Sequence, residues 1–458
     1  MQPNKITLPA SLSSPIPGPD GFPFVGILPK IGRDPLKFFV EMMNEYGDLV
    51  RLDFGSREMY LLTDPEGIKY VLQDNNRNYA KGYHQVKPVL GEGLVSAEGE
   101  FWRRQRRLIQ PHFHRAKIEG FSSVITDLAA ERLASWDAYS RTSTPFDLAQ
   151  EMVWLTQQII ASTMFSTDVG IQTEALCEAF DVTLEYMNMR LFSPFDFIDR
   201  LPLPTNRRFK KALRTLDEIM FGLIENRRRG ANRPEDLLTM LIEARDPETG
   251  EGMDDRQIRD EVVTIFFAGH ETTASTLSWT GYLLAQHPEA VVLLQEEVAR
   301  TVGDRTPAFN DYPSLNYTRQ VIDESLRIYP PAWMFARTAI MEDEVSGYHI
   351  PAGAMIMLSP YATHRHPKYW QGPERFDPDR FRPEASATRH KMAYFPFGGG
   401  PRLCIGKDFA LVEATLILTM MVQQYNFSLV PGQHVKAQPI ATLRPRPGVQ
   451  MMVSPRGA

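Results

Sequence analysis

The most informative segment of the chain is Phe397-Gly398-Gly399-Gly400-Pro401-Arg402-Leu403-Cys404-Ile405-Gly406. Its three consecutive glycines allow the backbone to approach another group closely, because glycine has no Cβ. Cys404 comes just before a predicted helix, and the N–H groups and dipole at a helix start favour a thiolate. Arg402 adds a positive charge two residues earlier. The pattern predicts a thiolate at Cys404 that is either a metal ligand or a nucleophile.

Several other kinds of site are excluded by the same segment. A phosphate-binding loop of the form G-x-x-x-x-G-K-[ST] needs a glycine where Pro401 stands and a hydroxyl residue where Asp408 stands. A dinucleotide-binding G-x-G-x-x-G pattern needs a glycine in place of Leu403. A zinc site needs further Cys or His residues at close spacing, and the segment has none. A cysteine nucleophile needs a histidine base that any part of the chain can supply, so this alternative stays open.

The pattern Phe397-x-x-Gly400-x-Arg402-x-Cys404-x-Gly406 resembles the haem-thiolate loop of the cytochrome P450 superfamily at every fixed position. The resemblance implies that Cys404 is the axial ligand of the iron of haem b, and a thiolate ligand favours O–O cleavage. The other fixed positions are implied to form the cofactor-binding loop: Phe397, Gly400, Arg402 and Gly406. The wording of the motifs, including Glu413-Ala414-Thr415-Leu416, is most similar to soluble bacterial members related to fatty-acid hydroxylases.

A second motif, E-S-L-R, begins at Glu324 and ends at Arg327. Residues three apart on a helix share a face, so these two side chains can pair. The segment resembles the family's E-x-x-R motif, which an arginine from a P-x-R-F loop completes. The sequence P-D-R-F supplies Arg380 as the third member, and P-E-R-F supplies Arg375 as a second candidate. The resemblance implies that this triad is a structural brace behind the haem loop.

A long helix is predicted from Asp254 to Gln286. Its centre is apolar enough to suggest a membrane span. His270 and Glu271 lie in the middle of it, and charge at the centre of a bilayer is costly, so a buried core helix is the better interpretation. A zinc-binding H-E-x-x-H motif is excluded because residue 274 is alanine.

The centre of this helix reads Ala268-Gly269-His270-Glu271-Thr272-Thr273. It resembles the family's [AG]-G-x-[DE]-T motif, on the helix that crosses the distal face of the haem. The resemblance implies that Ala268 leaves room for O2 and that Glu271 and Thr272 are the catalytic residues that relay protons to the cofactor. Glycine and threonine at such positions also serve close helix packing and hydrogen bonding to a carbonyl one turn back.

Partners for the haem propionates are expected on the helix that contains W-R-R-Q-R at 102–106, which resembles the family's W-x-x-x-R helix. The residues implied to bind the propionates are Trp102, Arg106, Arg402 and Arg337. As a plain run of charge, 103–107 is typical of a solvated helix face. His364 and His366 resemble a metal pair only superficially and are predicted to be surface residues of a loop. Cys177 is predicted to be a buried thiol without a role.

The substrate pocket is expected to be apolar. Its candidate lining residues, chosen by position, are Leu94, Val95, Phe267, Ala268, Ala332, Trp333 and Met334. The same residues are equally typical of a plain core. As a pocket they imply an apolar substrate such as a fatty acid, an alkane or a terpenoid.

The rest of the sequence predicts one domain, residues 1–458, that is mainly α with a smaller β portion. The resemblance implies the cytochrome P450 fold, in which a long distal helix and a proximal Cys loop enclose the haem. Residues 1–35 are rich in Pro and Gly and are predicted to be extended. Leu49–Phe54 and Met59–Thr63 flank a short turn and predict a hairpin. A last long helix is predicted over Lys407–Tyr425, and neither a membrane anchor nor a fused reductase is expected.

The composition is that of a globular protein, with 43% hydrophobic and 23% charged residues. The formal net charge is −6, so the chain lacks the basic excess with which nucleic-acid-binding proteins track phosphates. Two cysteines in 458 residues exclude a disulfide framework and suit a reducing compartment. The predicted location is therefore cytoplasmic.

The resemblance implies a monooxygenase that inserts one atom of O2 into a C–H bond of an apolar small molecule. Electrons are expected to come from NAD(P)H through a ferredoxin or flavodoxin-type donor with its reductase. The cations expected to steer this donor are Arg402, Lys407, Arg103 and Arg104. The alternatives are a peroxide-driven peroxygenase, an isomerase or dehydratase of the same fold, and a non-enzymatic haem sensor. The presence of Glu271 and Thr272 argues against the last two.

Overall fold

The structure, a computed structural model, describes residues 15–55, 57–166, 172–191, 201, 203–230 and 233–456. Helices predominate in these residues. In chain order they are α1 (Leu28–Ile31), α2 (Pro35–Tyr46), α3 (Pro65–Lys69), α4 (Lys87–Leu90), α5 (Gly99–Ile109), α6 (Arg115–Thr142), α7 (Leu148–Phe165), α8 (Gln172–Leu191), α9 (Pro204–Arg229), α10 (Leu237–Glu243), α11 (Asp255–Leu284), α12 (Pro288–Thr301), α13 (Asn316–Ile328), α14 (Pro360–Thr363), α15 (Pro383–Ala387) and α16 (Lys407–Gln424).

The strands are short and lie mainly towards the two ends of the chain. They are β1 (Leu49–Asp53), β2 (Glu58–Leu62), β3 (Tyr79–Ala80), β4 (Phe146–Asp147), β5 (Phe335–Ala339), β6 (Asp343–Val345), β7 (Tyr348–Ile350), β8 (Met355–Leu358), β9 (Tyr425–Leu429), β10 (Lys436–Pro439), β11 (Leu443–Arg446) and β12 (Gln450–Pro455). This distribution confirms the prediction of a mainly helical chain with a minor β portion.

Internal contacts divide the chain into two compact units. The first comprises Met1–Lys81, Met334–Pro373 and His390–Arg402. It contains a sheet with the strand order β1-β2-β8-β5-β3 and the small hairpin β6–β7. Strands β1 and β2 are antiparallel, whereas β2 and β8 run parallel. The inward-facing apolar residues of this sheet form the core of the unit.

The second unit comprises Gly82–Trp333, Glu374–Arg389 and Leu403–Ala458. Its central helix is α11, which packs against α7, α13 and α16. A three-stranded sheet, β4-β12-β9, and the antiparallel hairpin β10–β11 complete the unit. Because α11 is covered on most sides, nearly all of its side chains are buried.

Helix α11 begins at a capping box. The Asp254 side chain accepts a hydrogen bond from the Gln257 N–H at 2.8 Å, and the Gln257 side chain accepts one from the Asp254 N–H at 3.3 Å. This reciprocal pair satisfies two N–H groups that have no partner within the helix. At the other end, a Cβ on Gly281 would lie 2.3 Å from a methyl group of Leu148, so glycine there lets α7 approach closely.

Several expectations are confirmed by these elements. The hairpin forms over β1 and β2, α11 matches the predicted long helix within two residues at each end, and α16 follows the Cys loop directly. His270 and Glu271 are buried inside α11, as expected of a core helix. Among the described helices, none has both the length and the apolar character needed to cross a membrane. The prediction of a single domain stays a prediction.

The N-terminal segment differs from its expected extended form at one point. Of residues 1–35, positions 1–14 lie outside the described residues. Residues 15–21 are without regular structure, but Leu28–Ile31 form the short helix α1. A proline in the first turn explains this, because its fixed φ suits the start of a helix.

Candidate active site

The Cys404 thiol is exposed, although the helix that follows it is largely buried. The loop before it is shaped by glycine in the first unit. Gly400 has a φ of +64°, and a Cβ there would lie 1.9 Å from the Leu72 carbonyl oxygen, so only glycine fits. Gly406 is the residue from which α16 begins, and Phe397 is half-buried. The local backbone therefore presents the thiol at a helix start, as the sequence predicts.

Arg106 on α5 lies beside the Cys404 thiol. Its Nη1 donates to the Leu403 carbonyl at 3.0 Å and its Nε donates to Gln110 at 3.1 Å. Burial lowers the pKa of Arg106, whereas the charge of Cys404 raises it. A cation in this position stabilises a thiolate. Arg106 thus holds the backbone of the Cys loop, and its predicted contact with a propionate stays a prediction.

Trp102, one turn before Arg106, is buried in a small cluster with Leu94 and Ala97. Ile405, the residue after Cys404, packs against this cluster and also against the larger core that Val95 and Phe267 border. Leu94 and Trp102, which come from two separate predictions, thus lie together with the residue that follows Cys404 in the second unit.

The arginines next to Arg106 are engaged with other parts of the chain. Arg103 forms an ion pair with Glu100. Arg104 donates to the Gly252 carbonyl at 2.8 Å, and Arg107 donates to Asp246 at 3.0 Å. Arg104 and Arg107 therefore attach α5 to the turn before α11. In this respect the run 103–107 differs from the solvated helix face that is typical of such a run.

Ala268 is exposed in the middle of α11, whereas most residues of that helix are buried. Its neighbours Phe267, Gly269 and Thr272 are half-buried, so the helix has one accessible patch at its centre. The Thr272 hydroxyl donates to the Ala268 carbonyl at 2.8 Å. A Cβ on Gly269 would lie 3.0 Å from a methyl group of Ile160, which shows close packing with α7. Back-bonding and close packing, the two alternatives to a catalytic role, thus both occur here.

Glu271 points to a different part of the unit. Its carboxylate accepts hydrogen bonds from the Thr442 hydroxyl and from two nitrogens of Arg444. Sequence reasoning missed both of these residues. Thr442 directly precedes the strand that contains Arg444, but nothing in the sequence pairs this segment with a helix about 170 positions earlier.

A second buried carboxylate on α11 holds the loop that carries the pocket candidates. Glu261 accepts from the Leu94 N–H at 2.9 Å and from the Gln105 side chain at 3.2 Å. Burial raises the pKa of Glu261 to about 8, although both hydrogen bonds lower it. Because Leu94 is fixed through its backbone, the position of its side chain is set by α11. Sequence reasoning missed this function of Glu261.

The other pocket candidates differ in accessibility. Trp333 is buried and donates to the Ile440 carbonyl at 2.8 Å, which is typical of a core residue. Ala332 in the same unit is half-buried, and so is Met334 in the first unit. A small apolar cavity of about 20 Å³ in the second unit is lined by other residues, among them Ile160, Ile265 and Phe409. The lining of the substrate pocket stays a prediction.

The three residues predicted for the brace come together in the second unit. Arg327 donates through Nε and Nη2 to the two carboxylate oxygens of Glu324, at 2.6 and 2.8 Å. The Arg380 Nε lies 3.5 Å from the same carboxylate, and the Asp377 N–H donates to it at 2.9 Å. Arg375, the second candidate, contributes its backbone carbonyl as an acceptor for Arg327 at 3.2 Å. Net burial raises the pKa of Glu324 despite these partners.

The prediction that His364 and His366 lie on the surface is wrong. Both are buried in the first unit. His364 accepts from the Phe395 N–H at 3.0 Å, and His366 bonds to Asp48 at 2.7 Å. The cause is the helix α14, which packs against α2 and carries the following residues inwards.

The surroundings of three further predicted residues, Arg337, Arg402 and Cys177, are also defined by the structure. Arg337 is buried in the first unit, where it donates to the Ala336 carbonyl at 2.8 Å and lies over the Phe335 ring. Arg402 is half-buried in a short turn of the same unit. Cys177 is half-buried, and burial raises the pKa of its thiol to about 11, so it is an unreactive thiol at neutral pH.

The residues of the second unit fit a haem. An exposed cysteine at a helix start, with an arginine beside it, is a suitable thiolate ligand for iron. The exposed patch at Ala268 gives α11 a small-residue surface for a flat cofactor. Within the described ranges, no group of three or more His, Cys, Asp or Glu residues is arranged to hold a metal ion. The site thus offers one thiolate rather than a set of protein ligands.

Comparison with known proteins gives a consistent result. The family model described as cytochrome P450 matches residues 16–453. The chain is 38% identical to cyclooctat-9-en-7-ol 5-monooxygenase of Streptomyces melanosporofaciens, over 90% of both proteins. It is 36% identical to cyclooctatin synthase of the same organism, over 96% of this chain and 95% of that protein. It is also 35% identical to pentalenene oxygenase of Streptomyces avermitilis, over 93% of this chain and 94% of that protein.

A solved structure agrees with these relatives. The haem domain of cytochrome P450DA superposes on the chain with a TM-score of 0.88 at 28% sequence identity. The match covers 97% of this chain and 98% of the haem domain. The similarity therefore extends over both compact units.

Proposed function

Because the chain belongs to the cytochrome P450 family, and is therefore a monooxygenase and an oxidoreductase, we propose that it hydroxylates a C–H bond of an apolar, terpenoid-type small molecule with O2 and electrons from a separate redox protein. The observation that carries this proposal is the exposed Cys404 thiol beside Arg106, in a chain that matches the family over residues 16–453.

A terpenoid-type substrate is supported by the names of the relatives. Cyclooctatin, cyclooctat-9-en-7-ol and pentalenene appear in the names of the three relatives described above, and these compounds are terpenoids. A fatty acid or an alkane, the other two substrate classes considered, has no counterpart in these names. The half-buried apolar residues Val95 and Phe267, which border the large core of the second unit, are consistent with any of the three classes.

The chain's own residues have three tasks in such a reaction. Cys404 would ligate the haem iron, with Trp102 and Arg106 on α5 as neighbours of the propionates. When bound, haem supplies the activation of O2 and its insertion into the substrate, and a thiolate ligand favours that chemistry. Arg106 keeps the Cys loop in place through the Leu403 carbonyl and supplies a positive charge beside the thiolate.

Proton supply is the second task of the chain, and we assign it to Thr272 and Glu271. The Thr272 hydroxyl lies at the accessible patch of α11, where its hydrogen bond to the Ala268 carbonyl fixes its orientation. Glu271 is the adjacent acid, and its carboxylate takes up a proton and releases it again. The third task, exclusion of water, belongs to the apolar residues around Ala268.

Electrons are proposed to come from NAD(P)H through a ferredoxin or flavodoxin-type protein and its reductase. Of the cations expected to steer this partner, Arg103 and Arg104 are paired within the chain. Lys407, which is half-buried at the start of α16, is the better candidate for a contact with the donor. A cytoplasmic location completes the proposal, since a reducing compartment keeps the Cys404 thiol available.

The test of the proposal compares Cys404→Ser with Cys177→Ser. Both variants remove a thiol, but only Cys404 lies in the loop that would hold the iron. The reduced protein with carbon monoxide should show a thiolate-type Soret band in the wild type and in Cys177→Ser, and this band should be absent from Cys404→Ser. A thiolate band that persists in Cys404→Ser would show that the ligand assignment is wrong.

The substrate class is tested on the same protein by titration with pentalenene, a saturated fatty acid and a long alkane. Entry of a substrate that displaces water from the iron shifts ferric haem towards high spin, so the preferred class gives the largest shift. Turnover of that compound with a ferredoxin, its reductase and NADPH, but not with hydrogen peroxide alone, supports the monooxygenase over the peroxygenase. A preference for the fatty acid would contradict the terpenoid part of the proposal alone.

A further inference from the structure

The Glu271 carboxylate is held by the C-terminal hairpin β10–β11. Among the described residues, the hydrogen bonds to this carboxylate come from the Thr442 hydroxyl and from Nε and Nη2 of Arg444. The two Arg444 nitrogens bond to different carboxylate oxygens, which is the two-point geometry that makes arginine–carboxylate pairs strong. The acid proposed for proton supply is therefore fixed by residues far from it in sequence.

The hairpin is itself firmly attached to α11. The Leu443 carbonyl accepts from the Ser275 hydroxyl at 2.5 Å and from the Trp279 indole at 2.8 Å, and the Leu443 N–H donates to the Pro331 carbonyl at 3.0 Å. Thr442 directly precedes β11 and Arg444 lies in it, so the two residues flank Leu443. The backbone contacts at Leu443 thus set the position of both side chains relative to Glu271.

The other charged groups near this carboxylate do not replace Arg444. Burial lowers the pKa of His270, so this residue is neutral near pH 7. Asp181 on α8 is a second acid near this carboxylate. Burial raises the pKa of Asp181, whereas the charge of Arg444 lowers it. Arg444 is therefore the cation that faces both acids in the part of the chain that the structure describes.

Access to solvent differs between the two members of the pair. The Glu271 side chain is 3% exposed, whereas the Arg444 side chain is 36% exposed. Glu271 and Thr272 are consecutive in a helix, so their side chains do not face each other. Solvent therefore reaches this pair at Arg444, while Thr272 lies at the accessible patch of α11.

We propose that Arg444 and Thr442 are positioning residues for proton delivery, which hold the Glu271 carboxylate in a fixed orientation and place its proton uptake on the solvent-facing side of Arg444. This inference rests on the proposed function of Glu271. In each transfer the carboxylate gains one proton from solvent on that side and releases one proton towards Thr272. The carboxylate is regenerated, and no electron is moved by this step.

The experiment measures how much of the consumed NADPH ends as hydrogen peroxide, as a function of pH and in H2O and D2O. It needs no substrate, and it uses the intact haem protein with a plant-type ferredoxin and its reductase. Arg444→Gln removes the two-point contact and the positive charge, and a buried carboxylate without such a partner is less easily ionised. The midpoint of the pH profile should rise by about one unit or more, a tenfold change in the ionisation equilibrium.

Two further variants keep the test independent of folding. Arg444→Lys retains a positive charge and should restore most of the wild-type profile, although it cannot form the two-point contact. Arg446→Gln removes an exposed arginine two positions along the same strand and should leave the profile unchanged. Each variant is first shown to carry the thiolate-type carbon monoxide band. An unchanged pH profile and isotope effect in folded Arg444→Gln would overturn the inference.

A double-variant cycle separates this inference from the function proposed for Glu271. If Arg444 acts through Glu271, Arg444→Gln should add no further change to Glu271→Gln. An equal effect of Arg444→Gln with and without the Glu271 carboxylate would overturn the inference, because Arg444 would then act on another part of the site. If Glu271→Gln leaves the profile unaltered, the proposed proton supply by Glu271 fails and the inference fails with it.

Discussion

Two buried clusters of carboxylate and arginine lie in the second unit, and they are built in different ways. In the first, Glu324 and Arg327 are three residues apart on α13, and Arg380 and the Asp377 N–H add to them. In the second, Glu271 on α11 is bonded to Arg444 of β11 and to Thr442 just before it, both more than 170 positions away. The charges are alike, but only the first pair can form as soon as its helix forms.

The clusters also differ in their access to water. The side chains of Glu324 and Arg327 are completely buried, and each has several partners. In the other cluster the arginine is about one-third exposed. A fully buried, fully paired cluster cannot exchange protons readily, which suits a brace. A cluster with one side open to solvent can, which suits an acid that must be protonated in every turnover. We therefore expect the first cluster to serve stability, and we propose proton supply for the second.

The largest expected effect is the loss of the brace in Arg327→Ala. This change leaves the Glu324 carboxylate buried without its main partner, and breaking such a pair costs about 3–5 kcal/mol. Urea unfolding and the haem content of the purified protein measure the loss. The matched control is Arg375→Ala, which removes a side chain that is 72% exposed and paired only with Asp377 at the surface. The control should cost less than about 1 kcal/mol. If both variants lose a similar free energy of unfolding, the buried cluster of Glu324 and Arg327 is not the stabilising brace that we describe.

A further buried acid sharpens the comparison because its partners among the described residues include no arginine. Glu413 on α16 is buried next to the hydroxyl of Thr273, and burial raises its pKa to about 8. The folded protein therefore keeps a proton that the unfolded chain releases near its ordinary pKa of 4.5. Stability should fall as the pH rises from about 4.5 to about 8. Glu413→Gln should reduce this slope and gain on the order of 2 kcal/mol relative to wild type between pH 6 and 9.

The control for this slope is Asp408→Asn, on the same helix but exposed. Unfolding in urea at several pH values gives the slope for each protein. A wild-type slope that persists in Glu413→Gln would mean that Glu413 is ionised in the folded protein, and that an acid buried in this unit does not need an arginine to keep its charge.

A substitution at Thr272 is expected to change the catalysed reaction rather than the stability of the protein. Thr272→Ala removes the hydroxyl at the accessible patch of α11, and the share of NADPH that ends in product should fall about tenfold. Thr276→Ala is the matched control, since Thr276 makes the same bond to a carbonyl one turn back, at 2.8 Å, but is buried. If the share of NADPH that ends in product is equal in the two variants, Thr272 has no role in proton supply. Its hydroxyl then serves only the hydrogen bond to the Ala268 carbonyl.

The contrast between the clusters also shows what the sequence could predict. Features that depend on neighbours in the chain were predictable: the hairpin β1–β2, the extent of α11, and the shared face of Glu324 and Arg327. Arg380 could be named only through a family motif, because 53 residues separate it from Arg327.

The missed features all depend on contacts between distant elements. Neither secondary-structure propensity nor residue spacing indicates which strand will lie against a helix. The sequence therefore could not predict that Thr442 and Arg444 bond to Glu271. The same holds for Glu261, whose partners are Leu94 in the loop before α5 and Gln105 on α5. It holds for His364 and His366 as well, which the packing of α14 on α2 buries. Such positions require the three-dimensional arrangement.

The smallest effect is expected at Thr442, whose hydroxyl is the uncharged donor to Glu271. Thr442→Val keeps the shape of the side chain but removes this bond, and a single hydrogen bond to a charged group contributes about 1–2 kcal/mol. Because Arg444 still pairs with the carboxylate, the free energy of unfolding in urea should fall by about 1 kcal/mol. Thr442→Ser restores the donor and should recover this loss. If Thr442→Val instead destabilises the protein as much as Arg327→Ala, the cluster at Glu271 is a second brace, and its assignment to proton supply loses the contrast on which it depends.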